Sequence, residues 1–217
     1  MALIAHSVVV TLLVTIVALQ RSAAPSIPTE KIFEAIGTRE GITVCEMGAG
    51  DGELTIAAAK IVGPSGRIYT SELGDERVKA LRTRTSETGL SHITVVEGAA
   101  NKTNFPEGAC DALFMRNVYH HFADPPAINA SILASLKPGA RAAVVDFTPP
   151  DKEADRPEDR GKDGMHGVRP ETVARELKSA GLEEVSSEEG AARWFMVVAR
   201  RPDPKELRPA VRSAGGD

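Results

Sequence analysis

The chain has 217 residues, 42% of them hydrophobic, 26% charged and 4% aromatic, with a net charge of -4. That length suits one domain with a full core and is short for two. An acidic balance without a basic block excludes a nucleic-acid partner held on a broad basic face, and so few aromatics exclude a base-stacking platform.

From Ala2 to Leu19 there is no Asp, Glu, Lys or Arg. An apolar run of this length lies at the lower edge of what spans a bilayer as a helix. It also resembles a secretory signal, with Ser22-Ala23-Ala24 as a small-residue cleavage site. Residues 1–24 are therefore expected to be a membrane anchor or signal peptide outside the fold, with membrane association through residues 2–19. Arg21, the first basic residue, follows the run, and the positive-inside tendency then holds the downstream domain on the cytoplasmic side. Export after cleavage is the alternative.

After a linker bracketed by Pro25 and Pro28, Thr29–Thr38 is a short predicted helix with Ile32, Phe33 and Ile36 on one face. Short apolar runs then alternate with helical patterns. Strands are expected at Thr43–Met47, Arg67–Ser71, Ile93–Glu97, Ala109–Arg116, Ala140–Phe147, Glu183–Glu188 and Ala192–Arg200. Helices are expected at Leu54–Val62, Asp75–Thr88, Pro125–Leu136 and Pro170–Ala180. The alternation predicts an α/β fold: a doubly wound, mostly parallel seven-stranded sheet with helices on both faces and an antiparallel strand near the C-terminal edge. The domain is expected over 25–201, followed by a disordered tail at 202–217. Cys45 and Cys110 each fall inside a strand, and two cysteines are too few for a disulfide framework, so both are expected to pack as small free hydrophobes. Thr148 to Val168 is dense in charge, lacks apolar periodicity and follows a strand end, where ligands of open α/β sheets bind, which marks it as a candidate lid.

The stretch "VCEMGAGDGELTIAAA" (Val44–Ala59) carries the binding signal. A strand, a glycine-rich turn and a helix let backbone N–H groups approach a ligand closely. The dinucleotide fingerprint G-x-G-x-x-G would need glycine at position 53, where Glu53 stands, and a phosphate-binding P-loop would need Gly-Lys-Ser/Thr. Glu46, Asp51 and Glu53 crowd the turn with negative charge, which suits a cationic ligand better than a pyrophosphate.

At these residues the sequence resembles the class I S-adenosylmethionine-dependent methyltransferases. "EMGAGDG" looks like that family's first motif, and "RIYTSEL" offers Glu72 as the acid ending strand two, 20 residues beyond Gly52. "CDALFMRNVYHHF" resembles the family's strand four and following loop, and "LKPGARAAVVDF", with Lys137-Pro138-Gly139 as its turn, resembles the approach to strand five. The third element departs from the pattern: Gly98 is followed by Ala99 where Gly-Asp is usual, so backbone groups or Asn101 would hold the adenine. The resemblance spans about Glu30 to Arg201. It implies S-adenosylmethionine as cofactor, bound by Glu46, Gly48, Ala49, Gly50, Gly52, Glu72, Leu73, Gly98, Ala99 and Asn117, with Glu72 on the ribose.

Methyl transfer is an in-line displacement that needs orientation, plus a base when the acceptor begins protonated. Tyr119, His120 and His121 follow strand four, and His166 ends the charged loop; these four are the candidate catalytic residues, histidine being suited to accept a proton near neutral pH. A zinc or iron site from His120, His121, His166 and Asp146 is conceivable by ligand type, but no close-spaced ligand motif supports it and no metal is expected. The expected activity is methyl transfer to a small-molecule or lipid-like acceptor, without nucleic acid. The alternatives are an NAD-type oxidoreductase and a non-catalytic cofactor-binding scaffold.

Overall fold

The computed structural model describes residues 27–206. The anchor or signal at 1–24 and most of the tail expected at 202–217 lie outside the described residues. Among the described residues, no helix is long and apolar enough to cross a membrane.

In chain order the elements are α1 (Thr29–Ala35), β1 (Thr43–Met47), α2 (Glu53–Val62), β2 (Arg67–Glu72), α3 (Asp75–Ser86), β3 (Ile93–Glu97), β4 (Cys110–Arg116), α4 (Pro125–Ser135), β5 (Leu136–Phe147), α5 (Pro170–Ser179), β6 (Glu183–Glu189) and β7 (Trp194–Arg200). The seven strands form one sheet in the order β3-β2-β1-β4-β5-β7-β6. Neighbours from β3 to β5 pair in parallel, while β7 runs antiparallel to both β5 and β6. This is the predicted architecture. The strand order reverses between β1 and β4, so the carboxyl ends of these strands flank a crevice, the usual ligand position in such sheets.

Alternation along the strands divides the core. Val44, Ala112, Phe114, Ala143 and Val145 face α1 and α2, with Ile32, Leu54, Ala58 and Val62 packed on them. Cys45, Met47, Leu113, Met115 and Val144 face the other way, against Ile128 and Ile132 of α4 and Val173 and Leu177 of α5. Both faces are apolar because both are covered, which is why these strands lack a polar alternate. The tip strand β6 is the contrast: most of its residues are exposed, and it is rich in glutamate, which blunts the open edge.

Three local expectations are corrected. Lys137, Pro138 and Gly139 lie within β5 rather than in a turn before it, but the register advances from Cys110↔Leu136 to Ala112↔Arg141, so they form a bulge at the strand's start. The segment 148–168 is not structureless. It contains a 3₁₀ turn at Pro157–Asp159, and Glu153 ties it to α5 by accepting from Arg169 N–H (3.1 Å) and the Thr172 hydroxyl (2.8 Å). The buried Arg160 adds an ion pair to Glu176 of α5.

The third correction concerns the cysteines. Cys45 and Cys110 are joined in a disulfide between β1 and β4, with Cα atoms 5.8 Å apart and both residues fully buried. The pairing is hidden in sequence because 65 positions separate the two residues and only the parallel pairing of their strands brings them together. Closing a loop of 65 residues is expected to stabilise the fold by about 4 kcal/mol in the chain-entropy view. Denaturant unfolding with and without reductant should show a shift of that order; coincident curves would show that the bond adds nothing.

Candidate active site

A cavity of about 590 Å³ opens at the carboxyl ends of β1, β2 and β4. Its floor is the turn after β1. Gly48, Gly50 and Gly52 all have positive φ (66°, 57° and 80°), which L side chains adopt at a cost. The three differ in surroundings. A methyl group at Gly48 would collide with Val118, and one at Gly52 would stand 2.8 Å from Leu81 of α3, whereas Gly50 has open space above it. Gly50 therefore presents bare backbone to the cavity, and Gly52, which is absent from the lining, serves helix packing.

Two buried acids line the cavity from adjacent strands. Glu72, buried at the end of β2, accepts from Gly50 N–H (3.2 Å) and Leu73 N–H (3.2 Å), with Arg77 3.6 Å away. Glu46, buried in β1, accepts from the hydroxyls of Thr55 and Thr70. Burial pushes its carboxyl up to about 7; Thr55, Arg116 and Thr70 pull the other way and recover only part of that rise.

Of the ten expected cofactor contacts, nine line the cavity: Glu46, Gly48, Ala49, Gly50, Glu72, Leu73, Gly98, Ala99 and Asn117. Asn101 does not. Gly98 donates its N–H to Glu72 O (3.0 Å), which holds the third loop against the second strand. Asn117 carries a positive φ of 61° without being glycine, a strained position of the kind concentrated at functional sites.

The four catalytic candidates separate. His121 lines the cavity beside Val118 and Phe122. Burial lowers its pKa first, then the neighbouring His120, so the imidazole is neutral near pH 7 and able to accept a proton. His120 lies behind it, fully enclosed, with Nδ1 2.9 Å from the Asp146 carboxylate, and His166 approaches from the charged loop to 3.0 Å of His120 Nε2. Tyr119 does not line the cavity. Its hydroxyl donates to Glu176 (3.0 Å), accepts from Asn129 (2.7 Å) and is buried, and burial followed by Glu176 holds the phenol far above its ordinary range. No residue of 148–168 lines the cavity; the loop instead carries His166 to His120.

Sequence reasoning missed Arg116 and Arg77 in the cavity wall and Phe122 at its mouth. Arg116 ends the apolar run of β4, and a charged residue at the carboxyl end of a central strand was the available signal.

Residues 45–144 match the family model described as a methyltransferase domain. The chain is similar to the ubiquinone/menaquinone biosynthesis C-methyltransferases UbiE of Shewanella halifaxensis (28% identical, covering 54% of this chain and 47% of that protein) and of Pseudomonas putida F1 (34%, 54% and 46%). It thus spans about half the length of these relatives. Among solved structures, a SAM dependent methyltransferase from Aquifex aeolicus shares the fold with a TM-score of 0.68 at 24% identity, over 79% of this chain and 88% of that one.

Replacing each turn glycine by alanine is expected to cost about 1–2 kcal/mol from the left-handed backbone alone. Gly48→Ala and Gly52→Ala should lose more than Gly50→Ala, because only they add a clash. Denaturant titration of the three variants checks the order; equal losses would refute the division of roles.

Proposed function

We propose that the chain is a class I S-adenosylmethionine-dependent methyltransferase and that it methylates a small-molecule acceptor, a reading supported by the methyltransferase-domain match over residues 45–144, the similar C-methyltransferases and the shared fold. The bound donor supplies an electrophilic sulfonium methyl group. The observation that carries this reading is the cavity lined by two buried acids, Glu46 on β1 and Glu72 at the end of β2, beside the side-chain-free turn at Gly50. Glu72, already oriented by two N–H groups, keeps acceptor capacity for ribose hydroxyls, and Gly98 and Ala99 offer backbone and apolar contact to the adenine. Glu46 and the N–H groups of the turn suit the amino-acid end of the donor, which carries charges of both signs. A pyrophosphate would meet Glu46, Asp51, Glu53 and Glu72 instead.

The acceptor side is the wall made by Val118, His121 and Phe122. His121 is the candidate base there, and a lipid-like acceptor accords with the quinone-biosynthetic names of the relatives. Incubation with labelled donor and a pooled lipid and metabolite extract should give a labelled small molecule with wild type and little with Glu46→Ala. No product from either protein would favour a non-catalytic binding role.

A pH dependence follows from Glu46. Its raised pKa means that the ligand-free fold binds this proton more tightly than the unfolded chain; that stability is complete below about 4.5 and is lost as pH rises through about 7. A cationic ligand reverses the preference by favouring the carboxylate. Binding therefore releases a proton below pH 7, and donor affinity is expected to rise several-fold between pH 6 and 8. Glu46→Gln should flatten the profile in calorimetric titrations; an unchanged slope would remove Glu46 from the donor site.

For location, we propose attachment through residues 2–19 with the domain on the cytoplasmic side, where the donor is made. The Cys45–Cys110 disulfide favours a second reading, export, because cytosolic thiols are kept reduced. Thiol trapping in intact cells separates them: two free thiols support the cytoplasmic domain and a protected pair supports export.

A further inference from the structure

The three histidines at the edge of the cavity have a property that one base would not need. Ring nitrogens of His120, His121 and His166 all lie within 4.8 Å of one another, with His120 buried and the other two exposed. We propose that these imidazoles form a site for a divalent transition metal of the zinc class, with Asp146 as the carboxylate that orients His120.

The support is built rather than incidental. Asp146 is fully buried, and each of its oxygens is engaged: Oδ1 accepts from Phe147 N–H (2.9 Å), Oδ2 from His120 N–H (3.1 Å), and both face His120 Nδ1 at 2.9 and 3.1 Å. A carboxylate on Nδ1 fixes the proton there and leaves the Nε2 lone pair free, the tautomer a metal requires and the outer support that ligating histidines usually have. That lone pair faces His166 Nε2 at 3.0 Å. At Zn–N bonds of about 2.0–2.1 Å, tetrahedral ligand nitrogens are about 3.3 Å apart. The three ligand nitrogens, within 4.8 Å of one another, thus already lie near the spacing of one coordination shell, and His121 and His166 are exposed and so less constrained than His120.

His166 is placed with equal care. Gly167 beside it has φ 130°, and a methyl group there would meet Phe147 O at 2.6 Å, so glycine alone fits. Val168 N–H bonds to the same carbonyl (3.0 Å), which straps the loop to the end of β5. The Phe147 ring walls both His120 and His166, at centroid distances of 4.9 and 5.1 Å. Three neutral imidazoles suit zinc, iron, nickel or copper better than magnesium or calcium. Three protein ligands leave a position for a water or a substrate oxygen. Resting on the methyl-transfer reading, that position takes a hydroxyl or carbonyl oxygen of the acceptor, since His121 belongs to both the metal set and the cavity wall; with the metal bound, His121 gives its lone pair to the ion and the ion takes over the activation of that oxygen from the base.

The test uses the full-length chain with any oligohistidine tag removed, titrated with Co²⁺ and followed by its visible absorption, then by displacement with Zn²⁺. One Co²⁺ per chain with tetrahedral-type bands is expected. His166→Ala should weaken binding at least 100-fold with an unchanged melting curve, and Asp146→Asn by about 10–100-fold. His92→Gln, outside the cluster, should bind as wild type. Absence of stoichiometric binding to wild type, or undiminished binding to His166→Ala, would overturn the proposal. Calorimetry with S-adenosylmethionine on the same samples keeps the two readings apart: Co²⁺ bound without donor leaves the metal site standing and sinks methyl transfer, and donor bound without Co²⁺ does the reverse.

Discussion

One carboxylate holds the β1–β3 side of the crevice together. Glu72 accepts from Gly50 and Leu73, so the turn after β1 and the turn after β2 share one anchor, and its own carbonyl takes the N–H of Gly98. Three loops from three parallel strands are thereby fixed to a single residue. The turn can afford three left-handed glycines only because its ends are clamped, by Ala49 to Ser71 O and by Gly52 as the first residue of the helix hydrogen-bond ladder. What is left open to a ligand is the space beside Gly50, where no side chain stands, next to an acid that is already oriented. Pre-payment of that orientation is what lets a binding site form without rearrangement.

The opposite side of the crevice is organised by Asp146. Where Glu72 gathers backbone, Asp146 gathers a side chain, and the histidine it holds is the inner member of a row that ends in the cavity at His121. The strained Asn117, held by its N–H to Val145 O (2.8 Å), turns the chain sharply enough for the 3₁₀ turn at Tyr119–His121 to begin. The two acids thus divide the crevice: Glu72 organises the loops at the β2 side and Asp146 the histidines at the β5 side.

Much of this was legible in the sequence, for a physical reason. Motifs that work through backbone geometry, such as Gly48-Ala49-Gly50 after an apolar strand, are local and survive as local patterns. The strands β1 to β5 were equally visible because burial on both faces leaves unbroken apolar runs. What escaped depends on chain pairings. Cys45 and Cys110 meet only through the β1–β4 register, and His166 meets His120 only because Gly167 folds the charged loop back to β5. Tyr119 misled for the complementary reason: a polar residue beside two histidines looks chemical, yet its hydroxyl is consumed by Glu176 and Asn129. The charged loop likewise shows no periodicity because it is ordered by ion pairs and a glutamate cap, which leave no apolar signature.

The central claim is that the Glu72-anchored cavity holds S-adenosylmethionine. Calorimetric titration of the full chain with S-adenosylmethionine and, separately, with NADH tests it most directly, with Glu72→Ala as the comparison. The account predicts one donor molecule bound per chain, loss of at least tenfold in affinity on removing the carboxylate, and no heat from NADH. Tight binding of NADH with none of S-adenosylmethionine would contradict it.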